Sequence, residues 1–324
     1  MSAWAVPDLA DVLAARGRIA PYLRPTPLYR YPALDAVTGT QTFVKHENHQ
    51  PVGAFKVRGG INLTSRLGPA ERERGVITAS TGNHGQSVAY AASLFGVRAI
   101  VCMPEQANPV KVESMRALGA EIIFGGTDFD EARERCEKEA AEHGYRYIHS
   151  GNEPDLIAGV ATYTLEILEA QPDTEVILVP VGGGSGAAGA CVVAKAVRPS
   201  VEVIGVQAEA APAAYRSWQA RRLVEEPNRT AAEGLATRTA FELPQQIMWR
   251  LLDDFVLVTD DALAQAARTM IEKTRNLVEL AGAAALAGVL ADPGRFAGRK
   301  VAVVCSGGNI SPPQLAALLA DAPS

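Results

Sequence analysis

Cysteine is scarce, with four in 324 residues. Cys102, Cys136, Cys191 and Cys305 lie far apart and form no CxxC pair. Cys102 and Cys305 sit inside apolar strand-like runs, as small buried hydrophobes in a reducing compartment do. An excess of positive charge is missing too. The 31 Lys and Arg against 36 Asp and Glu leave a net charge of −5, and no basic cluster marks a nucleic-acid surface. The longest apolar runs are strand-sized, so no membrane-crossing helix is expected. The N-terminus, Met1 to Asp8, lacks the basic-then-apolar order of a signal peptide. We therefore expect a cytoplasmic protein with neither membrane nor nucleic-acid partner. Five histidines offer no metal site: His46 and His49 flank Glu47 and Asn48, which is not H-E-x-x-H. No serine or cysteine nucleophile elbow and no internal repeat is visible.

What is present is an ordinary globular composition, 48% hydrophobic and 21% charged, which excludes disorder as the main state. Apolar β-branched runs at 42–45, 75–79, 99–103, 121–124, 176–181, 201–207, 255–258 and 300–305 read as strands. Helical stretches are expected at 8–20, 84–95, 110–118, 128–143, 155–170, 186–197, 260–275 and 281–291. Strands separated by helix-length segments imply right-handed crossovers and mostly parallel sheets. Seven or eight strands suggest two sheets, with the chain crossing between them near 142–152. Residues 219–247 read as an irregular connection.

Three strands end in glycine-containing turns that open helices. These are Ser80-Thr81-Gly82-Asn83-His84-Gly85-Gln86, Gly182-Gly183-Gly184-Ser185-Gly186 and Ser306-Gly307-Gly308-Asn309. Ligands of open α/β sheets bind beyond the carboxyl ends of strands, where helix N-termini offer N–H donors to anions. Three such turns in one chain suggest a composite site. The 182–186 loop suits a phosphate, and no Lys-Ser/Thr follows it to make a nucleotide P-loop. Two other readings stand beside this one. Gly184, Gly186 and Gly189 also satisfy G-x-G-x-x-G, with Glu209 placed for a ribose, and the glycines could serve tight strand–helix packing alone. Ser80 or Thr81 could be a plain helix cap.

The fourth stretch is Lys45 to Gly60, a loop turning into a helix after Gln50, Pro51 and Gly53. Lys56 follows the bulky Phe55. A lysine is a nucleophile toward carbonyls only where burial or charge depresses its pKa, and an ordinary solvated lysine is the alternative.

Taken together, these segments carry a resemblance. Glu47-Asn48-x-Gln50-x-x-Gly53-Ala54-Phe55-Lys56-x-Arg58-Gly59 resembles the lysine signature of the fold-type II pyridoxal-phosphate enzymes, and is closest to the serine/threonine dehydratase and serine racemase branch. The three glycine turns match that branch in the same order, and the resemblance runs from Pro25 to Asn309. It implies an α/β fold of two domains with twisted, mostly parallel sheets flanked by helices, like tryptophan synthase β. Residues 1–70 and 150–324 would form the large cofactor domain and 71–149 the small one. It implies pyridoxal 5'-phosphate as cofactor, a small amino-acid substrate and a homodimer. Lys56 would hold the cofactor as a Schiff base and take the α-proton. Phe55 would support the ring, Asn83 would bond its O3', and Ser306 would face its nitrogen as a neutral partner. Gly182, Gly183, Gly184, Ser185 and Gly186 would hold the phosphate. Ser80, Thr81, Asn83 and His84 would bind the substrate carboxylate. The implied reaction is dehydration of a 3-hydroxy-L-amino acid to a 2-oxo acid and ammonia.

The sequence departs from the branch at three points. Racemases carry a second serine where this chain has Thr81, which ranks racemisation behind elimination. Racemase-type members bind a divalent cation through two acids that align with Gln207 and Ala213, neither a hard-cation ligand, though Glu209 is near. No regulatory domain follows the Ser306 turn, so we expect an enzyme without isoleucine feedback. β-Replacement synthases of the same fold rank third. The substrate's side chain is not legible. Segment 211–247, with Tyr215, Trp218, Arg238 and Phe241, is expected to border its pocket, with Arg238 a candidate for a second carboxylate.

Overall fold

The computed structural model describes residues 5–127 and 129–320. Met1 to Trp4, part of the stretch examined for a signal peptide, lie outside the described residues. Ten strands are present among the described residues: β1 (Leu28–Arg30), β2 (Gln41–His46), β3 (Val76–Ala79), β4 (Ala99–Met103), β5 (Glu121–Phe124), β6 (Arg146–Tyr147), β7 (Val176–Pro180), β8 (Glu202–Ala208), β9 (Asp254–Val258) and β10 (Lys300–Cys305). They form two sheets, of order β1-β2-β10-β7-β8-β9 and β5-β4-β3-β6. Every pairing is parallel except β1 with β2. Strands β3, β4 and β7 are buried at every residue. That is why they read as unbroken apolar runs: helices cover both sheet faces and leave no polar alternation.

The sheet register sets where the site falls. In β10, Cys305 pairs with His46 of β2, and Val303 pairs with Leu178 of β7. The carboxyl ends of these three parallel neighbours are therefore level. The lysine stretch, the Ser306 turn and the 182–186 loop leave the sheet side by side. The Ser80 turn, at the end of β3, faces them from the smaller sheet.

The helices follow their end signals. Asp8 caps Leu9–Ile19 in a reciprocal box with Asp11. Asn108 caps Pro109–Ala117 through the N–H of Val110 at 3.0 Å, with Pro109 where no donor is needed. One expectation fails. Segment 219–247 is not irregular throughout, because the helix Ala213–Ala220 ends inside it and the helix Glu242–Leu251 begins inside it. Pro244 looks like a breaker, but it sits in a first turn, where proline costs no hydrogen bond. The short β1 and β6 carry too few residues to show a period.

Candidate active site

Hydrogen bonds tie the four stretches into one frame. Phe55 N donates to Ser306 O at 3.1 Å, and Gly308 N donates to Gly53 O at 2.9 Å. The Asn309 amide donates to Val52 O at 2.8 Å and to Asn83 Oδ1 at 2.7 Å. The Asn83 amide donates in turn to Glu279 Oε1 at 2.6 Å. Behind the lysine, Arg58 forks onto Glu47 at 2.7 and 2.8 Å and onto Glu166 at 2.6 and 2.8 Å. Lys45 reaches Glu166 at 2.5 Å and Thr26 O at 2.7 Å. This buried network explains the Glu47 and Arg58 of the signature as positioning groups. Burial alone would raise the Glu47 pKa, but the guanidinium beside it holds it low.

The frame encloses a cavity of about 310 Å³. Every residue assigned to the site from the sequence lines it: Phe55, Lys56, Ser80, Thr81, Asn83, His84, Gly182, Gly183, Gly184, Ser185, Gly186 and Ser306. Lys56 is half-buried. Nζ donates to Ser150 O at 2.9 Å and to Ser185 Oγ at 3.0 Å, and lies 5.5 Å from the centre of the Phe55 ring. No carboxylate among the described residues pairs with it. Desolvation pushes its pKa down to about 8. Near neutral pH a useful fraction of the amine is uncharged and nucleophilic.

Above the lysine, the 182–186 loop opens the helix Ser185–Val197. None of the six N–H groups from Gly182 to Ala187 donates to a described residue. A buried run of unpaired donors at a helix N-terminus is costly unless an anion accepts from them. The loop therefore fits a phosphate. Its glycines also meet packing demands. A Cβ on Gly183 would stand 2.1 Å from the Phe241 ring, and one on Gly182 would stand 2.3 Å from Gly234 O. Gly184 has φ of +89°. Gly189, the last glycine of the dinucleotide pattern, packs on Ala161, and Glu209 is exposed.

The remaining groups are neutral or already engaged. His84 is buried and its pKa falls to about 3, through desolvation and the nearby Lys56 charge. Nε2 lies 3.4 Å from Ile148 O, and Nδ1 has no partner among the described residues. The Ser80 hydroxyl accepts from Gly82 N at 3.1 Å and Gly85 N at 2.9 Å, so it does brace the helix start. Sequence reasoning missed Lys111, Glu233, Glu279, Ser150 and Phe129, which also line the cavity. Glu233 and Glu279 fall in two further stretches that resemble the branch, Ala232-Glu233-Gly234-Leu235 and Glu279-Leu280-Ala281-Gly282-Ala283, with no role marked for either. Lys111 and Phe129 belong to helices of the smaller sheet and carry no local signature. The expected side-chain border is only partly right. Phe241 lines the cavity, but Tyr215 and Trp218 pack on Phe255 at 5.6 and 6.0 Å, and Arg238 is exposed outside it.

At the position aligned with a cation site, Gln207 Oε1 accepts from Tyr215 N at 2.9 Å and leaves the amide Nε2 buried without a partner. An N–H donor and the methyl of Ala213 do not suit a divalent cation.

Comparison with known proteins now decides the family. Residues 19–307 match the family described as pyridoxal-phosphate dependent enzyme. The chain belongs to this family. It is 39% identical over 305 residues to the L-threonine ammonia-lyase of Thermotoga maritima, covering 93% of this chain and 75% of that one. It is 35% identical over 316 residues to the L-threo-3-hydroxyaspartate ammonia-lyase of Saccharomyces cerevisiae, covering 97% of each. Among solved structures it resembles maize serine racemase, with a TM-score of 0.92, 31% identity and 98% of both chains covered. This family member is a fold-type II α/β protein and a pyridoxal-phosphate-dependent lyase.

Proposed function

We propose that this enzyme dehydrates and deaminates a 3-hydroxy-L-amino acid of the threonine/serine type to a 2-oxo acid and ammonia. The observation that carries the reading is the Lys56 amine. It has no acid partner among the described residues, is held below its ordinary pKa by burial, and donates to Ser185 Oγ at 3.0 Å, in the loop whose N–H groups suit an anion. In this reading Lys56 would hold the cofactor through its aldehyde, the 182–186 loop and Ala187 would hold its phosphate, and Ser306 and Asn83 would meet its ring. When bound, pyridoxal phosphate supplies the electron sink that makes the substrate Cα–H acidic. The Ser80 turn takes the substrate carboxylate through its N–H groups and the Thr81 hydroxyl, and His84 contributes as a neutral group. The Lys56 amine would take the proton from Cα, hydroxide would leave Cβ with a proton as water, and the released enamine would add water to give the 2-oxo acid and ammonia.

Charge favours an uncharged substrate side chain. Among the described residues the cations lining the cavity are Lys56 and Lys111, and Lys111 is paired with Glu233. A second carboxylate would find no free partner, so L-threonine and L-serine suit the site better than 3-hydroxyaspartate. The test compares kcat/KM for the three by ammonia release. Threonine or serine should lead by tenfold or more; retained turnover in Lys56→Ala would overturn the assignment.

Racemisation is the second reading, supported by the Thr81 hydroxyl on the cavity wall. It requires solvent deuterium at Cα together with the opposite enantiomer in recovered substrate, and simple elimination gives neither. The two sheets support a small domain of 71–149 within a large one of 1–70 and 150–324. Four free, buried cysteines support a cytoplasmic enzyme. Resemblance to the branch supports a homodimer. No helix among the described residues is long and apolar enough to cross a membrane.

A further inference from the structure

A second cavity, of about 280 Å³, adjoins the first. Lys111, Glu233, Glu279 and Ala281 line both, so they form a shared wall. Away from that wall the second cavity is largely aliphatic, with Ala264, Leu280, Ile310, Ala317 and Leu318. Arg268 stands among them. Its guanidinium donates one hydrogen bond among the described residues, to Leu318 O at 3.2 Å, and forms no ion pair. A guanidinium fork with most of its donors free, beside an aliphatic hollow, is a receptor for a carboxylate on a short hydrocarbon tail.

The shared wall also links the two cavities mechanically. Glu233 uses Oε1 to accept from Gln314 Nε2 at 2.9 Å, on the side of the second cavity. Its Oε2 pairs with Lys111 Nζ. That ammonium lies against the Ser80 turn, 3.6 Å from where a Cβ on Gly82 would stand. Glu233 opens the short turn Glu233–Leu235, whose Gly234 O packs on Gly182 of the phosphate loop. A group that moves Gln314 or Glu233 therefore presses on both anion-holding loops.

We propose that the second cavity is an effector site for a short aliphatic carboxylate. Its carboxylate pairs with Arg268, its tail lies along Leu280 and Leu318, and its occupancy is coupled to the active site through the Glu233–Leu235 turn. The coupling is reciprocal: whatever factor the effector imposes on substrate affinity, substrate imposes on effector affinity.

The probe is 3-methylbutanoate, which has no amine to condense with the cofactor. Titrated calorimetrically into holoenzyme without substrate, it should bind saturably with a Kd on the order of 1 mM. In steady-state assays with L-threonine it should change KM severalfold, to a plateau. Arg268→Gln should weaken binding at least tenfold and leave kcat without the probe within twofold of wild type. Ala317→Phe, which fills the hollow, should block binding as well. L-leucine, run in parallel, separates sources: an Arg268-dependent effect from it alone assigns the site to amino acids, and one from both probes assigns it to carboxylates generally. No calorimetric binding of either probe to wild type overturns the proposal. So does binding that Arg268→Gln leaves unchanged, or inhibition that rises without a plateau and is purely competitive with threonine. The calorimetric arm needs no turnover, so it stands even where threonine proves not to be the substrate.

Discussion

The buried amine of Lys56 should cost the cofactor-free protein stability, and that cost can be measured. In the unfolded chain the amine titrates near 10.5, and in the folded protein near 8. Between these values the unfolded state binds the proton more readily, so stability rises with pH through this window. The penalty is complete below about pH 8 and gone above about 10.5. The full difference corresponds to about 3 kcal/mol. Water in the open cavity screens part of it, and the bonds to Ser150 O and Ser185 Oγ return about 1 kcal/mol. Lys56→Met, which keeps the stem and deletes the charge, should therefore make the apoprotein about 1–2 kcal/mol more stable at pH 7. The assay is urea unfolding of both apoproteins from pH 7 to 10.5, followed as the difference between them. The variant's advantage should shrink as pH rises through 8 and vanish by about 10.5. A difference that stays flat across this range, or a variant less stable than wild type at pH 7, would refute the reasoning.

Other substitutions probe the frame. Gly183→Ala puts a methyl 2.1 Å from Phe241 and must displace the ring or the loop. Equilibrium dialysis should show affinity for pyridoxal phosphate at least tenfold weaker. Arg58→Met leaves the buried Glu47 without its ion-pair partner and Glu166 with Lys45 alone, and chemical denaturation should show a loss of about 3–5 kcal/mol. Asn309→Ala removes the bonds to Val52 O and Asn83 Oδ1. It should lower stability by about 1–3 kcal/mol, and initial-rate assays should show kcat/KM down by roughly an order of magnitude as Asn83 loses its orientation.

Much of the site was legible because its parts are local. A glycine-rich turn after an apolar run declares itself within about ten residues, and Lys56 was marked by the loop before it. The level ends of β2, β10 and β7 could not be read the same way, because register depends on pairings far apart in sequence. Lys111 and Glu233 show the limit. Each looks like a surface charge in its own helix or turn, and only the approach of the two sheets makes them a pair. The helix Glu242–Leu251 was missed because Pro244 was read as a breaker rather than a first-turn residue. Ser80 shows that two readings can hold together, since its hydroxyl braces the helix start on the wall of the cavity.

The Glu47–Arg58–Glu166 network gives the lysine signature a second meaning. It anchors the backbone two residues from the nucleophile, while the Asn309 bridge fixes the opposite turn. The amine is thus held in place with no carboxylate among the described residues to offset its desolvation, which keeps it below its ordinary pKa.

The central claim is that Lys56 is the residue that bonds the cofactor. Holoenzyme reduced with borohydride, digested and mapped by mass spectrometry tests it most directly. The account predicts one pyridoxyl-phosphate adduct per chain, on the peptide containing Lys56. An adduct on Lys45 or Lys111, or none, would contradict it.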